Sequence, residues 1–181
     1  QGGVVESATS SPLGSGTLSF AGNGTLRAAA AGLAPANNVA IGGGVMATVD
    51  SQAATLTLGG VISETGANGS LRKTGSGTLI LGNANTYSGA TTVDAGTLQV
   101  SAPADGGLAS SVGQSSSAAA NLVINGGTLA YTGPRATTNR LLTIGTAGAT
   151  LDASGTDALQ WTGAGAVVLT GTDVPRTLML T

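Results

Sequence analysis

The sequence predicts an all-β solenoid, and three observations predict it. The triplet Gly-Thr-Leu recurs at Gly16, Gly24, Gly77, Gly96 and Gly127. Around it lie short alternating runs closed by Gly, Asn, Asp or Ser. Charged residues are only 8% and aromatics 2% of the chain, while 31 of its 181 residues are glycine. Ordinary globular domains carry roughly 25% charge. Such a chain can neither build its core around large rings nor clothe itself in Lys and Glu. Many short strands stacked through tight turns fit this composition.

The runs are Thr17–Phe20, Thr55–Leu58, Leu79–Leu81, Leu98–Val100, Leu122–Ile124, Leu129–Tyr131, Leu142–Ile144, Leu159–Trp161, Val167–Leu169 and Leu178–Leu180. Alternation over three to five residues sends one set of side chains inward and the other outward. Ala28–Ala31 is the one helix-friendly patch, and Gly32 and Pro35 interrupt it. The spacing from Gly77 to Gly96 is 19 residues, from Gly127 to Gly148 it is 21, and from Gly148 to Gly165 it is 17. A period near twenty with several strands per period marks a solenoid, in which each unit buries its apolar side on its neighbours. At ~4.8 Å per coil, nine such units make a rod of roughly 40 Å.

Two other states compete with this one, disorder and an antiparallel fold. Disorder combines low hydrophobicity with high net charge, whereas this chain is 41% hydrophobic with a net charge of −2 and a mean hydropathy of +0.30. An antiparallel sandwich or barrel uses two-residue hairpin turns. Asp105-Gly106 and Asn125-Gly126 join no such pair of alternating strands.

Composition also narrows function. Without cysteine or histidine, disulfides, thiolate chemistry and the commonest metal ligand and general base are removed. Six basic residues are too few for a nucleic-acid surface. No metal, cofactor or catalytic residue is expected, and the chain is read as not an enzyme. The acid–base candidates are Asp152, Asp157 and Asp173 with Arg176, Asp157 and Asp173 sharing a Gly-Thr-Asp context sixteen residues apart. A carbohydrate-active enzyme would use such stacked carboxylates; turn capping is the plainer role for them. The calcium-binding Gly-Gly-x-Gly-x-Asp pattern is not supplied by Gly42–Gly44 or Asp105–Gly107. The Ser-rich stretch within 101–119 reads as an exposed loop leaving the solenoid, a place where such folds carry binding function. Sparse charge and open terminal coils also suit self-association.

Residues 69–101 read GSLRKTGSGTLILGNANTYSGATTVDAGTLQVS. This segment resembles the autotransporter-associated β-strand repeat, also called the passenger-associated transport repeat. The pattern is met by Leu71, Lys73, Gly75, Gly77, Thr78, Leu79 and Leu81, by Asn85, Thr86, Tyr87, Gly89, Thr91 and Val93, and by Gly96, Thr97, Leu98 and Val100. Gly14–Arg27 and Asn121–Tyr131 match it in fragments. The resemblance implies a right-handed parallel β-helix over 1–181, exported across the outer membrane of a Gram-negative bacterium. It further implies a structural stalk that aids export and displays distal modules, with surface adhesion as an added role. Its partners would be a C-terminal translocator barrel, neighbouring passenger coils, and a host surface or another copy. Neither signal peptide nor barrel accompanies the repeat, so a passenger fragment is expected.

From the residues alone, Leu79, Leu81, Leu98 and Val100 point inward. Asn85 bonds turn backbone or stacks on an equivalent asparagine. Tyr87 is half-buried at a corner with a wet hydroxyl. Arg72 and Lys73 decorate a solvated face.

Overall fold

The computed structural model describes residues 2–9, 13–172 and 174–181. The first turn holds β1 (Val4–Ser7) and β2 (Leu18–Phe20), and the second β3 (Gly24–Ala28) and β4 (Val39–Ile41). The third adds a full set: β5 (Met46–Asp50), β6 (Thr55–Leu58) and β7 (Ile62–Glu64). The fourth holds β8 (Ser70–Thr74) and β9 (Thr78–Leu81), and the fifth β10 (Thr91–Val93) and β11 (Thr97–Val100). After a single 3-10 turn at Ala119–Asn121 come β12 (Leu122–Ile124), β13 (Thr128–Tyr131) and β14 (Ala136–Thr138). The seventh turn holds β15 (Thr143–Ile144), β16 (Ala149–Asp152) and β17 (Leu159–Trp161), and the eighth β18 (Val168–Leu169) and β19 (Leu178–Leu180).

Every paired strand runs parallel to its neighbours, which sets aside the antiparallel sandwich. The eight strands of face one stack as β1-β3-β5-β8-β10-β12-β15-β18, and face two stacks as β6-β9-β11-β13-β16-β19. Face three is split into β2-β4-β7 and β14-β17. The fold is therefore a parallel β-solenoid. Its coils are longer and fewer than the Gly spacing suggests. Successive partners on face one, from Val4 through Thr25, Thr48, Arg72, Thr92, Val123 and Thr143 to Val168, lie 21, 23, 24, 20, 31, 20 and 25 residues apart. Eight levels replace the nine expected, and at ~4.8 Å spacing they span about 35 Å. The Ala28–Ala31 patch closes β3 and enters a turn instead of forming a helix.

The core is a set of side-chain columns. Leu33, Leu56, Leu79, Leu98, Leu129, Leu151 and Leu180 lie in register along face two. Leu79 and Leu98 are 0% exposed. On face one the inward column runs Val5, Leu26, Val49, Lys73, Val93, Ile124, Ile144 and Leu169. Burying each aliphatic side chain contributes about 1.5–3 kcal/mol, and each column member away from the two ends is covered by the coil above and the coil below. No coil is dry without its neighbours.

Asparagine at the corners joins coil to coil. Asn23 Oδ1 accepts from Met46 N at 2.8 Å, Asn38 Oδ1 from Val61 N at 2.9 Å, and Asn125 Oδ1 from Ala147 N at 3.1 Å. Outside, register stacks opposite charges: Glu6, Arg27 and Asp50 are consecutive partners, with Arg27 3.0 Å from Glu6 and 3.1 Å from Asp50. Exposed pairs of this kind add little stability, but they penalise a shifted register.

Candidate functional site

The repeat occupies the fourth turn and half of the fifth. Its two halves, β8 with β9 and β10 with β11, lie one on the other. Leu71 pairs with Thr91, Lys73 with Val93, Thr78 with Thr97, Leu79 with Leu98 and Leu81 with Val100. Leu79, Leu81, Leu98 and Val100 point into the core, as their alternation predicts, and Leu71 and Val93 are buried with them. Thr78 and Thr97 occupy the alternate, outward positions between them.

Lys73 departs from the expected solvated position. It sits in the inward face-one column between Val49 and Val93 and is 0% exposed. The reason is the turn beside it. Its ammonium donates to the carbonyls of Thr74 and Gly75 at 2.8 Å and of Ala95 at 3.0 Å. One cation thus satisfies turn carbonyls of two successive coils. Burial pushes Lys73 down to about 8, with the Asp50 carboxylate opposing, so it remains mostly charged at pH 7. Arg72, one residue earlier, faces out and pairs with Asp94.

The turns in the motif need glycine for a physical reason. Gly75 and Gly96 have φ of +77° and +64°, a region that disfavours L side chains. A Cβ on Gly96 would also lie 2.3 Å from the Gly77 carbonyl oxygen. Gly96→Ala is expected to lower stability by about 1–3 kcal/mol, read from the urea midpoint. Gly77 and Gly89 are equally close to neighbouring backbone, at Ala54 and Gly69.

The Asn-Thr-Tyr corner closes the fourth turn. Asn85 is buried; its Oδ1 accepts from Ile62 N at 2.8 Å and its Nδ2 donates to Ser111 O at 3.1 Å. Its amide therefore bonds backbone, of two other coils. Thr86 N continues the corner by donating to Ile62 O at 2.9 Å. Tyr87 is not half-buried but 0% exposed. Its hydroxyl, expected to be wet, shares a 2.7 Å hydrogen bond with Thr91 Oγ1, and burial raises its pKa, the Thr91 bond opposing.

What encloses Tyr87 is the Ser-rich stretch. Ser110, Ser111, Val112 and Ser115 are buried, against the expectation of an exposed loop. Gly113 lies against the Tyr87 ring. Across from it stands Arg140, 2% exposed, which sequence reasoning did not single out. Its guanidinium donates to Ala104 O (3.0 Å), Ser115 Oγ (2.9 Å), Leu108 O (3.3 Å) and Gly113 O (2.9 Å). A lone arginine before an apolar run carries no local signal of this burial, because its acceptors lie 25 to 36 residues earlier.

Among the described residues the acid–base candidates are not assembled. Asp157 is exposed and accepts from Ala158 N at 2.7 Å, and Asp152 accepts from Ser154 N at 2.8 Å. Hydrogen bonds from Ser154 hold Asp152 below the usual carboxylate range. Arg176 turns onto the carbonyls of Gly171 and Val174, both at 3.0 Å. Asp173 lies outside the described residues. Turn capping accounts for Asp152 and Asp157.

The passenger-associated-transport-repeat family matches residues 71–100, the segment whose Lys73, Asn85 and Tyr87 tie successive coils together. Over 145 residues, 79% of this chain, the sequence is 40% identical to the adhesin BmaC autotransporter of Brucella suis biovar 1 (strain 1330). This is autotransporter passenger sequence. The chain spans 4% of the length of that relative. No solved structure matches it significantly. Passenger sequence of this kind is secreted or displayed through the outer membrane of a Gram-negative bacterium. Here the passenger segment is a structural one, a β-solenoid carrying one strong repeat.

Proposed function

We propose that this stretch of passenger is a non-enzymatic stalk within a surface adhesin. It forms a rod that favours its own export, carries more distal modules and contributes a lateral face to adhesion. The continuous leucine column from Leu33 to Leu180 is the observation that carries this reading. A shared dry interior transmits stiffness along the rod, and it requires no pocket. The last members of the two inward columns support stacking of further passenger coils: Leu169 is 57% exposed over buried Ile144, and Leu180 is 71% exposed over half-buried Leu151. The translocator barrel is the other intramolecular partner. A host surface, or a second copy on a neighbouring cell, is the adhesive one. The relative's designation as an adhesin supports that role.

The test is display. The chain is fused between a distal reporter and a translocator barrel in a non-adherent Gram-negative host. Surface reporter is expected to match a well-exported control, and attachment to epithelial cells is expected to rise several-fold over barrel alone. Reporter retained inside the cell would remove the stalk reading. Full display without added attachment would remove adhesion. Polysaccharide cleavage abolished by Asp157→Asn with Asp173→Asn would overturn the non-enzymatic reading.

A further inference from the structure

The fifth turn takes 31 residues to return to face one, against 20 to 25 for the others. The additional length lies in residues 101–118, where no strand crosses face three. Both ends are fixed. Val100 pairs with Leu81 and Tyr131, and Leu122 with Thr91, inside the two continuous sheets.

The segment between is held by contacts of a different kind from those of the coils. On one side Ser110 exchanges two main-chain bonds with Asn85 (2.9 and 3.2 Å), and Gln114 N donates to Tyr87 O at 2.8 Å. Thr91 Oγ1 reaches Val112 O at 3.0 Å. On the other side Ala104 O accepts from Thr138 Oγ1 at 3.0 Å, and Gly106 N donates to Asn139 Oδ1 at 2.8 Å. Arg140 joins the two legs, bonding Ala104 and Leu108 on one and Gly113 and Ser115 on the other. Within 102–118, Val112 alone belongs to the apolar core.

This difference has an energetic consequence. Hydrogen bonds exchanged for water contribute little net stability each, whereas apolar columns are lost outright when wetted. Units rich in the first and poor in the second open locally, below the free energy of global unfolding. We propose that residues 102–118 form a strap that lifts as one unit from a solenoid that stays wound, with Arg140 as its pin. The two legs are bonded to each other, Ser111 N donating to Ala102 O at 2.8 Å and Gly107 N to Ser115 O at 2.9 Å, so they move together, and the guanidinium fastens both of them to the solenoid. The strap also carries Leu108 at its tip, 59% exposed, so the unit that lifts is the one that presents an apolar side chain to the side of the rod.

Amide hydrogen exchange on the whole chain tests this. In the wild type, the amides of Ser110, Ser111, Gly113 and Gln114 are expected to exchange together, and at least tenfold faster than those of Leu79, Leu98 and Leu129. In Arg140→Met the strap amides are expected to speed up by a further tenfold or more, with the leucine amides unchanged. Strap and ladder amides exchanging at one rate in the wild type would overturn the proposal, and that comparison stands even if the variant fails to fold. A variant that folds but leaves strap exchange unaltered would remove Arg140 as the pin and overturn it likewise.

Discussion

Leu98→Asp is expected to destabilise the chain by about 5 kcal/mol or more, the largest effect of any single change considered. Leu98 is 0% exposed and sits between Leu79 and Leu129 in the face-two column. The substitution removes a packed aliphatic group, which costs roughly 2–5 kcal/mol for truncation alone. It also places a carboxylate where no donor awaits it, and an unpaired buried charge costs more than the lost packing. In a stacked array both neighbouring interfaces share the damage, since each coil is stabilised by the ones beside it. The control is Gln99→Asp, one residue on. Gln99 belongs to the outward set, half-buried between Ile80 and Ala130, and donates to Thr132 Oγ1 at 3.3 Å. That change is expected to stay within about 0.5 kcal/mol. Urea denaturation followed by circular dichroism compares the two. Equal shifts for Leu98→Asp and Gln99→Asp would mean that the assigned inward face is wrong.

That one-residue contrast is also what made the fold legible from sequence. Leu-x-Leu and Leu-x-Val runs such as Leu79–Leu81 and Leu98–Val100 announce a half-buried strand by period alone, and they became β9 and β11. Face one was harder to read. β5 is Met-Ala-Thr-Val-Asp and β8 is Ser-Leu-Arg-Lys-Thr, where alanine and lysine hold inward positions and blur the alternation. The coil count differs because the period near twenty rests on the short intervals Gly77 to Gly96 and Gly127 to Gly148, whereas Gly96 to Gly127, 31 residues, spans the long coil. The polar site resisted reading most. Serine, asparagine and arginine signal solvent when judged one at a time, and their burial here is decided by acceptors two dozen or more residues away. Local pattern reports which strand face is dry. It cannot report which polar groups find each other across coils.

Lys73→Met is the second large expected effect, and its sign is informative because opposing terms compete. Methionine matches the unbranched stem and relieves the charge of its burial, which by itself would stabilise. It also leaves the carbonyls of Thr74, Gly75 and Ala95 without this donor. An orphaned acceptor costs about 1–3 kcal/mol; Thr74 O keeps its bond from Ser51 N at 3.1 Å, so the loss falls on Gly75 and Ala95, and the two together outweigh the relief. A net loss of roughly 2–3 kcal/mol at pH 7 is expected. A variant more stable than the wild type would show that desolvation dominates and that the lysine does not act as a cap.

The pH dependence separates the two terms. Folding lowers the Lys73 pKa from its ordinary value of 10.5 to about 8. Between those values the unfolded chain holds a proton that the folded chain has released, so wild-type stability rises with pH across that window. Lys73→Met has no such group, and the wild-type advantage should therefore widen from pH 8 towards pH 10. Above about 10 the tyrosines act in the opposite direction. Burial raises the pKa of both Tyr87 and Tyr131, so the unfolded chain ionises first and stability falls in both proteins alike. Melting temperatures of the pair at pH 7, 8, 9 and 10 decide the matter. A difference that stays flat or narrows would mean that the ammonium is not desolvated in the folded coil, and that Lys73 belongs after all to a solvated face.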